Sequence, residues 1–363
     1  MDSSNKPALI HRPLPVHQAG FSLVEIMIGL TIGMLATLVI MQVLSVFEAQ
    51  KRSTTGTADA QTNGSIALYS IGRELQAAGY PLMPVTTNSP LKCTTLTIDG
   101  VVDNTVPNRL SPVTITDGGA AAGASDSITI RYGDAPSGGI PTQINGVGAP
   151  TANDIAVASN FGCQPDTEAL VVNGTACALT DISKPASSVS AAGVVPATVN
   201  LKYMNNTAVG ANFACLGEWN EIVYAVNNGN LNRDGAPLVA DIVNVQAQYG
   251  ISATANSNQV TQWVDATAAT GWDAPAVANR NRIKAVRIAI VARNVKKELT
   301  AVTSACSSTT SAAPTGLCAW AGSVASPAPT IDLSNDPGWQ NYRYRVFETI
   351  IPLRNMIWSN GAL

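Results

Sequence analysis

Histidine is almost absent from this sequence of 363 residues. The two histidines, His11 and His17, lie within the first twenty residues, so the rest of the chain has none. Histidine is the commonest general base of enzymes and the commonest metal ligand. Serine, lysine and carboxylate chemistry remains open, but the sequence has no Gly-x-Ser-x-Gly elbow and no Gly-x-x-x-x-Gly-Lys loop. We therefore expect no catalytic residue, no cofactor and no metal.

Charged residues are also scarce. They make up 12% of the chain, about half of the usual share of roughly 25%. The 21 basic residues are outnumbered by 24 acidic ones, whereas proteins that bind nucleic acid usually present a basic face. We expect no nucleic-acid partner, and the many small residues of the middle of the chain favour a β-rich protein outside the cytoplasm.

One run, over residues 26–44, is uncharged and almost entirely apolar. At about 1.5 Å per helical residue, this run is long enough to cross a hydrocarbon core of roughly 30 Å. It predicts a transmembrane helix. Glu25 directly precedes the run, and an ionised carboxylate inside a membrane costs about 2.5–3.5 kcal/mol on insertion scales. We expect a cationic partner, such as the amino group that cleavage between Gly20 and Phe21 would create.

The residues around this carboxylate form a motif. Gly20, followed by Phe-Ser-Leu-Val and then Glu25 at the head of the apolar run, resembles the processing signal of type IV prepilins and secretion pseudopilins. In that family a membrane peptidase cleaves after the glycine and methylates the new amino terminus. The resemblance implies cleavage and N-methylation at Gly20 and Phe21, and a role for Glu25 as the carboxylate that guides filament assembly. A secretory signal peptide would have a shorter apolar core, and an ordinary signal anchor would not require Glu25.

The first twenty residues would then be a leader peptide. Lys6 and Arg12 precede the span, and positive charge there favours a cytoplasmic location for this end. Removal of the leader would also remove Asp2 and leave a formal net charge of −4. We expect a single-pass inner-membrane protein with a periplasmic carboxyl-terminal domain, which becomes part of an extracellular pilus after assembly.

Six cysteines follow the apolar run: Cys93, Cys163, Cys177, Cys215, Cys306 and Cys318. An even number in an exported region predicts disulfides, although six cysteines allow 15 pairings. Closeness in sequence favours two pairs and leaves a third: Cys163 with Cys177, Cys306 with Cys318, and Cys93 with Cys215. Zinc is the alternative, but the sequence has no Cys-x-x-Cys pair to support it.

The helix is expected to continue beyond the membrane. Apolar residues recur at spacings of three and four, at Leu68, Ile71, Leu75 and Ala78. This spacing predicts an apolar helix face that packs on a sheet, and Gly79-Tyr80-Pro81 predicts its end. Gly56 and Gly64 are points where the helix could bend or loosen. We expect the helix to cover residues 21–80.

The remaining residues, 81–363, are expected to form a β-rich domain. Short runs rich in β-branched residues alternate with Gly, Pro, Asn and Asp, and they predict strands at 93–98, 127–132, 169–172, 199–204, 221–226, 283–291 and 342–355. Surface loops are expected where small residues dominate and too few large side chains are present to build a core. These segments are 118–125, 137–150 and 183–196. The predicted fold class is α+β, with a long amino-terminal helix packed on an antiparallel sheet domain that has long loops.

The late strands carry a second resemblance. Leu238-Val239, Gln248-Tyr249-Gly250, the strand at 283–291 and the closing segment 342–355 are similar to the minor pilin family PilW. This resemblance implies a subunit that starts or caps a pilus with other minor pilins and a tip adhesin. The partners would be other pilins through the amino-terminal helix, the prepilin peptidase and the inner-membrane assembly platform. The alternatives are a type II secretion pseudopilin and a membrane-anchored exported enzyme.

Overall fold

The structure is a computed structural model, and it describes residues 20–82, 88–136, 139–148, 153–183, 189–191, 193–194 and 196–357. Apart from Gly20, the predicted leader lies outside these residues. The contacts divide the chain into two units, one up to Thr54 and one from Thr55 onward. Helix α1 (Leu23–Ala77) contributes residues to both units and has no break at Gly56 or Gly64.

The described part of the first unit is helical from Leu23 onward. By length and composition, α1 contains a segment apolar enough to cross a membrane. The large apolar side chains of this unit are exposed, from Phe21 at 84% to Phe47 at 63%. Because exposed apolar surface on this scale is unfavourable in water, these side chains require lipid or other apolar helices around them.

The described residues of the second unit form seventeen strands. In chain order they are β1 (Thr95–Ile98), β2 (Val101–Asp103), β3 (Val113–Thr116), β4 (Ser127–Gly133), β5 (Thr142–Val147), β6 (Asp154–Val157), β7 (Glu168–Asn173), β8 (Ala176–Asp181), β9 (Ala197–Asn200), β10 (Asn212–Gly217), β11 (Trp219–Asn227), β12 (Asn230–Arg233), β13 (Ala236–Ala240), β14 (Ile242–Ser252), β15 (Val260–Val264), β16 (Ile283–Lys297) and β17 (Tyr342–Pro352). Two short helices are α2 (Val277–Arg280) and α3 (Arg354–Ile357).

The strands form three sheets. Their orders are β2-β1-β8-β7-β10-β5-β6-β9, β13-β12-β11-β4-β3 and β15-β14-β16-β17. Neighbouring strands are antiparallel except β1 and β8, which are parallel. The predicted α+β class, with a long amino-terminal helix and a mostly antiparallel sheet domain, is confirmed.

The end of α1 packs in a core shared with the five-stranded and four-stranded sheets. Ile71, Leu75 and Ala78 are fully buried there, and Leu68 packs against the same core. The predicted apolar face is therefore confirmed. Gly79 ends the helix with a φ of 76°, a backbone conformation that glycine adopts without a steric penalty.

The glycines of α1 bring the helix close to the four-stranded sheet. A Cβ atom on Gly64 would overlap the ring of Phe347 in β17, and one on Gly56 would overlap the side chain of Asn294 in β16. A Cβ on Gly72 would meet Ile351 at an ordinary distance of 3.6 Å. The helix is continuous at Gly56 and Gly64, and these two residues make room for side chains of the sheet.

Strand β16 is buried on both faces. Val286, Ile288 and Ile290 belong to the core beneath α1, whereas Ala289 and Val291 contact a separate apolar cluster on the other face. That cluster is completed by residues of the long connection 298–341, including Leu317, Ala319, Trp320, Ala328, Ile331 and Leu333. Burial on both faces explains why residues 283–291 read as an almost continuous apolar run.

The eight-stranded sheet also separates two apolar clusters. In β7, Ala169 and Val171 face one cluster while Leu170 and Val172 face the other, as the alternation of a strand requires. The expectation of a surface loop over 137–150 was wrong in part, because β5 occupies residues 142–147 and buries Ile144 completely. Backbone pairing with β6 and β10 holds this strand in the sheet, although the strand has few large side chains.

Candidate functional site

The predicted assembly carboxylate lies at the start of α1. Glu25 Oε2 accepts a hydrogen bond from the backbone N–H of Ser22 at 3.0 Å. Ser22 Oγ accepts one from the N–H of Val24 at 3.3 Å. The backbone N–H groups of a first helical turn have no partner within the helix. Both side chains supply partners, as in a capping box, and a carboxylate here also interacts favourably with the helix dipole.

The sequence interpretation of Glu25 was therefore incomplete. We expected a cationic partner, the amino group of Phe21 on the same or a neighbouring chain, and the structure adds a capping contact with Ser22 of its own chain. The pattern Ser22-x-x-Glu25 before an apolar run was available in the sequence as a sign of this contact. Gly20 and Phe21 precede the helix and are exposed, so the predicted cleavage bond lies outside regular structure.

A second carboxylate, Glu74, attaches α1 to the five-stranded sheet. Its side chain is nearly buried at 7% exposure and lies 3.5 Å from Arg233 and 3.4 Å from Arg73. The hydroxyl of Tyr132 donates to Glu74 Oε2 at 2.6 Å. Burial is the largest cause, and this hydrogen bond the next, that raise the pKa of Tyr132 to about 12. The hydroxyl therefore stays protonated and can donate to Glu74. Sequence reasoning missed Glu74, although an acid on the predicted apolar face was a visible signal.

All six cysteines form disulfides in the structure. Cys306 pairs with Cys318, as expected from their spacing. The other two expected pairs were wrong, because the structure has Cys93 with Cys177 and Cys163 with Cys215.

The eight-stranded sheet explains these two pairings. Cys93 and Cys177 belong to the apolar cluster on one face of the sheet, and Cys163 and Cys215 to the cluster on the other. Cys163 and Cys177 are close in sequence, but the sheet lies between them. Parallel pairing of β1 with β8 instead brings Cys93 to Cys177.

The described residues contain no group of three His, Cys, Asp or Glu side chains that could hold a metal ion. An apolar cavity beside Tyr249, lined in part by Pro90, Pro107 and Pro112, has a volume of about 20 Å³. That volume suits about one water molecule and is far smaller than an ordinary cofactor site.

Comparison with known protein families adds two matches. Residues 202–355 match the family described as type IV pilus-assembly protein W, PilW. Residues 16–41 match the prokaryotic N-terminal methylation motif. The chain is similar to PilW over its later strands and to type IV prepilins at its amino terminus. Neither the curated proteins nor the solved structures gave a match.

The two matches fall on different parts of this PilW-like chain. The methylation motif includes Gly20, Phe21 and Glu25, and it is consistent with a membrane-anchored pilin. The PilW match covers β10 to β17 and therefore the whole four-stranded sheet. Seven strands of the eight-stranded sheet, β1, β2 and β5 to β9, lie outside both matches.

Proposed function

We propose that this chain is a minor pilin that helps to initiate or cap a type IV pilus together with other minor pilins. The observation that carries this proposal is the presence of both family matches in one chain, the methylation motif at residues 16–41 and PilW at 202–355. The proposed partners are the prepilin peptidase, the inner-membrane assembly platform, other pilins and a tip adhesin. The chain would be an inner-membrane protein with a periplasmic domain before assembly and part of an extracellular pilus afterward.

The proposed mechanism is assembly rather than catalysis. The exposed apolar side chains between Phe21 and Phe47 would leave the lipid and pack against the helices of neighbouring subunits. After cleavage, the amino group of Phe21 on one subunit would meet Glu25 of another, which sets the axial register. Glu25 would serve as a cap in the single chain and as an ion-pair partner in the filament.

Two substitutions of Glu25 separate these contributions. In Glu25→Gln, the side-chain amide oxygen can still accept the hydrogen bond from Ser22, but the charge is lost. In Glu25→Ala, both the charge and the cap are lost, and loss of a cap typically costs about 1 kcal/mol. If the ion pair directs assembly, both variants should be processed normally and both should reduce piliation strongly.

The measurements are counts of surface pili by electron microscopy and mass spectrometry of the amino terminus. Normal piliation in both variants would refute the assembly role of Glu25. Piliation that is normal in Glu25→Gln and reduced in Glu25→Ala would assign the residue to capping alone.

A type II secretion pseudopilin is the rival within the same class. Mass spectrometry of sheared surface filaments should detect this chain, beginning at a methylated Phe21. Its absence from filaments, together with a secretion defect in a deletion strain, would favour the pseudopilin. An exported enzyme would have to use serine, lysine or carboxylate chemistry, because no histidine follows residue 17.

A further inference from the structure

Strand β17 is an unusually long edge strand. It is the last strand of the four-stranded sheet and contains 11 residues. The other edge strands of the described sheets, β2, β3, β9, β13 and β15, contain between 3 and 5 residues. Proteins usually keep edge strands short or covered, because a free edge offers backbone donors and acceptors to other chains. The length of β17 therefore needs an explanation.

A surface groove of about 510 Å³ follows part of this edge. Its walls include the consecutive residues 343–346 of β17, with Thr57 of α1 and residues 302 and 303 of the long connection. Side chains of consecutive strand residues point to opposite faces of a sheet. Because residues of both faces line the groove and β16 contributes none, the groove runs along the free edge of β17.

The groove carries positive charge. Arg343 and Arg345 line it two residues apart, and they therefore lie on the same face of β17. Arg343 forms an ion pair of 3.1 Å with Glu298 and remains half exposed. Arg345 is exposed, and among the described residues no carboxylate lies within ion-pair distance of it. A guanidinium has five donors, so both arginines can bind further carboxylates.

The two arginines also determine which kind of strand could pair with the edge of β17. A second copy of β17, added antiparallel around Tyr344, would place Arg343 opposite Arg345, and like charges directly opposite each other are destabilising. An acidic strand would instead bring a carboxylate to each arginine.

We propose that the edge of β17 binds an extended acidic segment of another protein as a fifth strand of the sheet. Two carboxylates, two residues apart on that segment, contact Arg343 and Arg345. The backbone of the segment pairs with β17, and the two ion pairs fix its register. This interface is separate from helix assembly through Glu25, and it would hold equally in a pilus and in a secretion pseudopilus.

The test uses the full chain in detergent micelles and a fluorescent peptide, Thr-Val-Glu-Val-Glu-Val-Thr. Fluorescence polarisation should show saturable binding. A peptide with lysine in place of both glutamates should bind at least about tenfold more weakly, because cross-strand attraction becomes repulsion. A peptide methylated on the alternate backbone nitrogens that pair with β17 should lose binding to a similar degree, because it cannot donate to the strand.

Variants of the protein complete the design. Arg345→Glu should weaken binding of the acidic peptide about tenfold. The matched control is Arg354→Glu, which reverses an exposed arginine beyond the end of β17 and outside the groove and should bind like the wild type. The double variant Arg343→Glu/Arg345→Glu should prefer the lysine peptide, and this reversal would show that the variant sheet is intact.

Three results would overturn the proposal. One is absence of saturable binding by the acidic peptide, or equal binding by the wild type and Arg345→Glu. The second is unchanged binding of the backbone-methylated peptide, which would indicate charge attraction without strand addition. The third is full displacement of the peptide by phosphatidylglycerol in mixed micelles, with equal sensitivity to Arg345→Glu, which would assign the groove to lipid headgroups.

Discussion

Gly64 provides the sharpest test of how α1 packs on the four-stranded sheet. A Cβ atom at this position would overlap three carbons of the Phe347 ring. Alanine is favoured over glycine in a helix interior by about 1 kcal/mol, so Gly64→Ala would stabilise the helix if nothing lay beside it. Inserting a methyl group into a filled core typically costs about 1–3 kcal/mol. The net effect of Gly64→Ala should therefore be a loss of up to about 2 kcal/mol.

Gly72→Ala is the matched control, because it makes the same substitution in the same helix. The nearest atom to its Cβ is a methyl group of Ile351 at 3.6 Å, an ordinary contact. This variant should keep the gain in helix propensity and be as stable as the wild type or slightly more stable. The two variants should thus differ by about 1–3 kcal/mol, which isolates the steric cost at Phe347.

The assay is urea unfolding of the full chain in detergent micelles, with disulfides intact and the strand signal followed by circular dichroism. Phe347→Leu, combined with Gly64→Ala, should recover part of the lost stability because the smaller side chain vacates the space. The double-mutant cycle would then give a favourable coupling energy. Equal stability of Gly64→Ala and Gly72→Ala, or no coupling with Phe347→Leu, would refute the close packing of helix and sheet at this point.

Three further predictions follow from the second unit. Glu74→Ala should cost about 2–3 kcal/mol in urea unfolding, because the Tyr132 hydroxyl loses a charged partner at 2.6 Å; a cost below experimental error would contradict this. Burial lowers the pKa of Lys284 to about 8, below the value of about 10.4 in an unfolded chain. Stability should therefore fall as the pH decreases from about 10 to about 8, and Lys284→Met should remove this dependence; an unchanged slope would count against it. Peptide mapping without reduction should give the pairs Cys93–Cys177, Cys163–Cys215 and Cys306–Cys318, and recovery of Cys163–Cys177 would contradict the sheet topology.

Local patterns in the sequence predicted much of the fold. The apolar run 26–44 and the face of Ile71 and Leu75 follow from helical periodicity, which depends only on neighbours within a few residues. The strand at 283–291 was equally visible. The weak strand β5 was missed because its partners β6 and β10, rather than its own side chains, hold it in the sheet.

Contacts between distant residues were outside the reach of such patterns. Gly56 and Gly64 look like helix-weakening residues in sequence, and only their contacts with Asn294 and Phe347 show that they make space for the sheet. Glu74 was visible as an acid on the apolar helix face, but its partner Tyr132 lies on another element and could not be identified from the sequence.

The apolar segment 26–44, the prepilin-type motif from Gly20 to Glu25 and the α+β class could all be predicted without a structure. Each depends on residues that are neighbours along the chain. The cysteine pairs, the contacts of α1 with the sheet and the position of Arg343 and Arg345 along a free strand edge became visible only in the folded domain. These features depend on strand order and register, which bring together residues far apart in sequence. Such pairing results from the packing of the whole domain and is not encoded in any short segment.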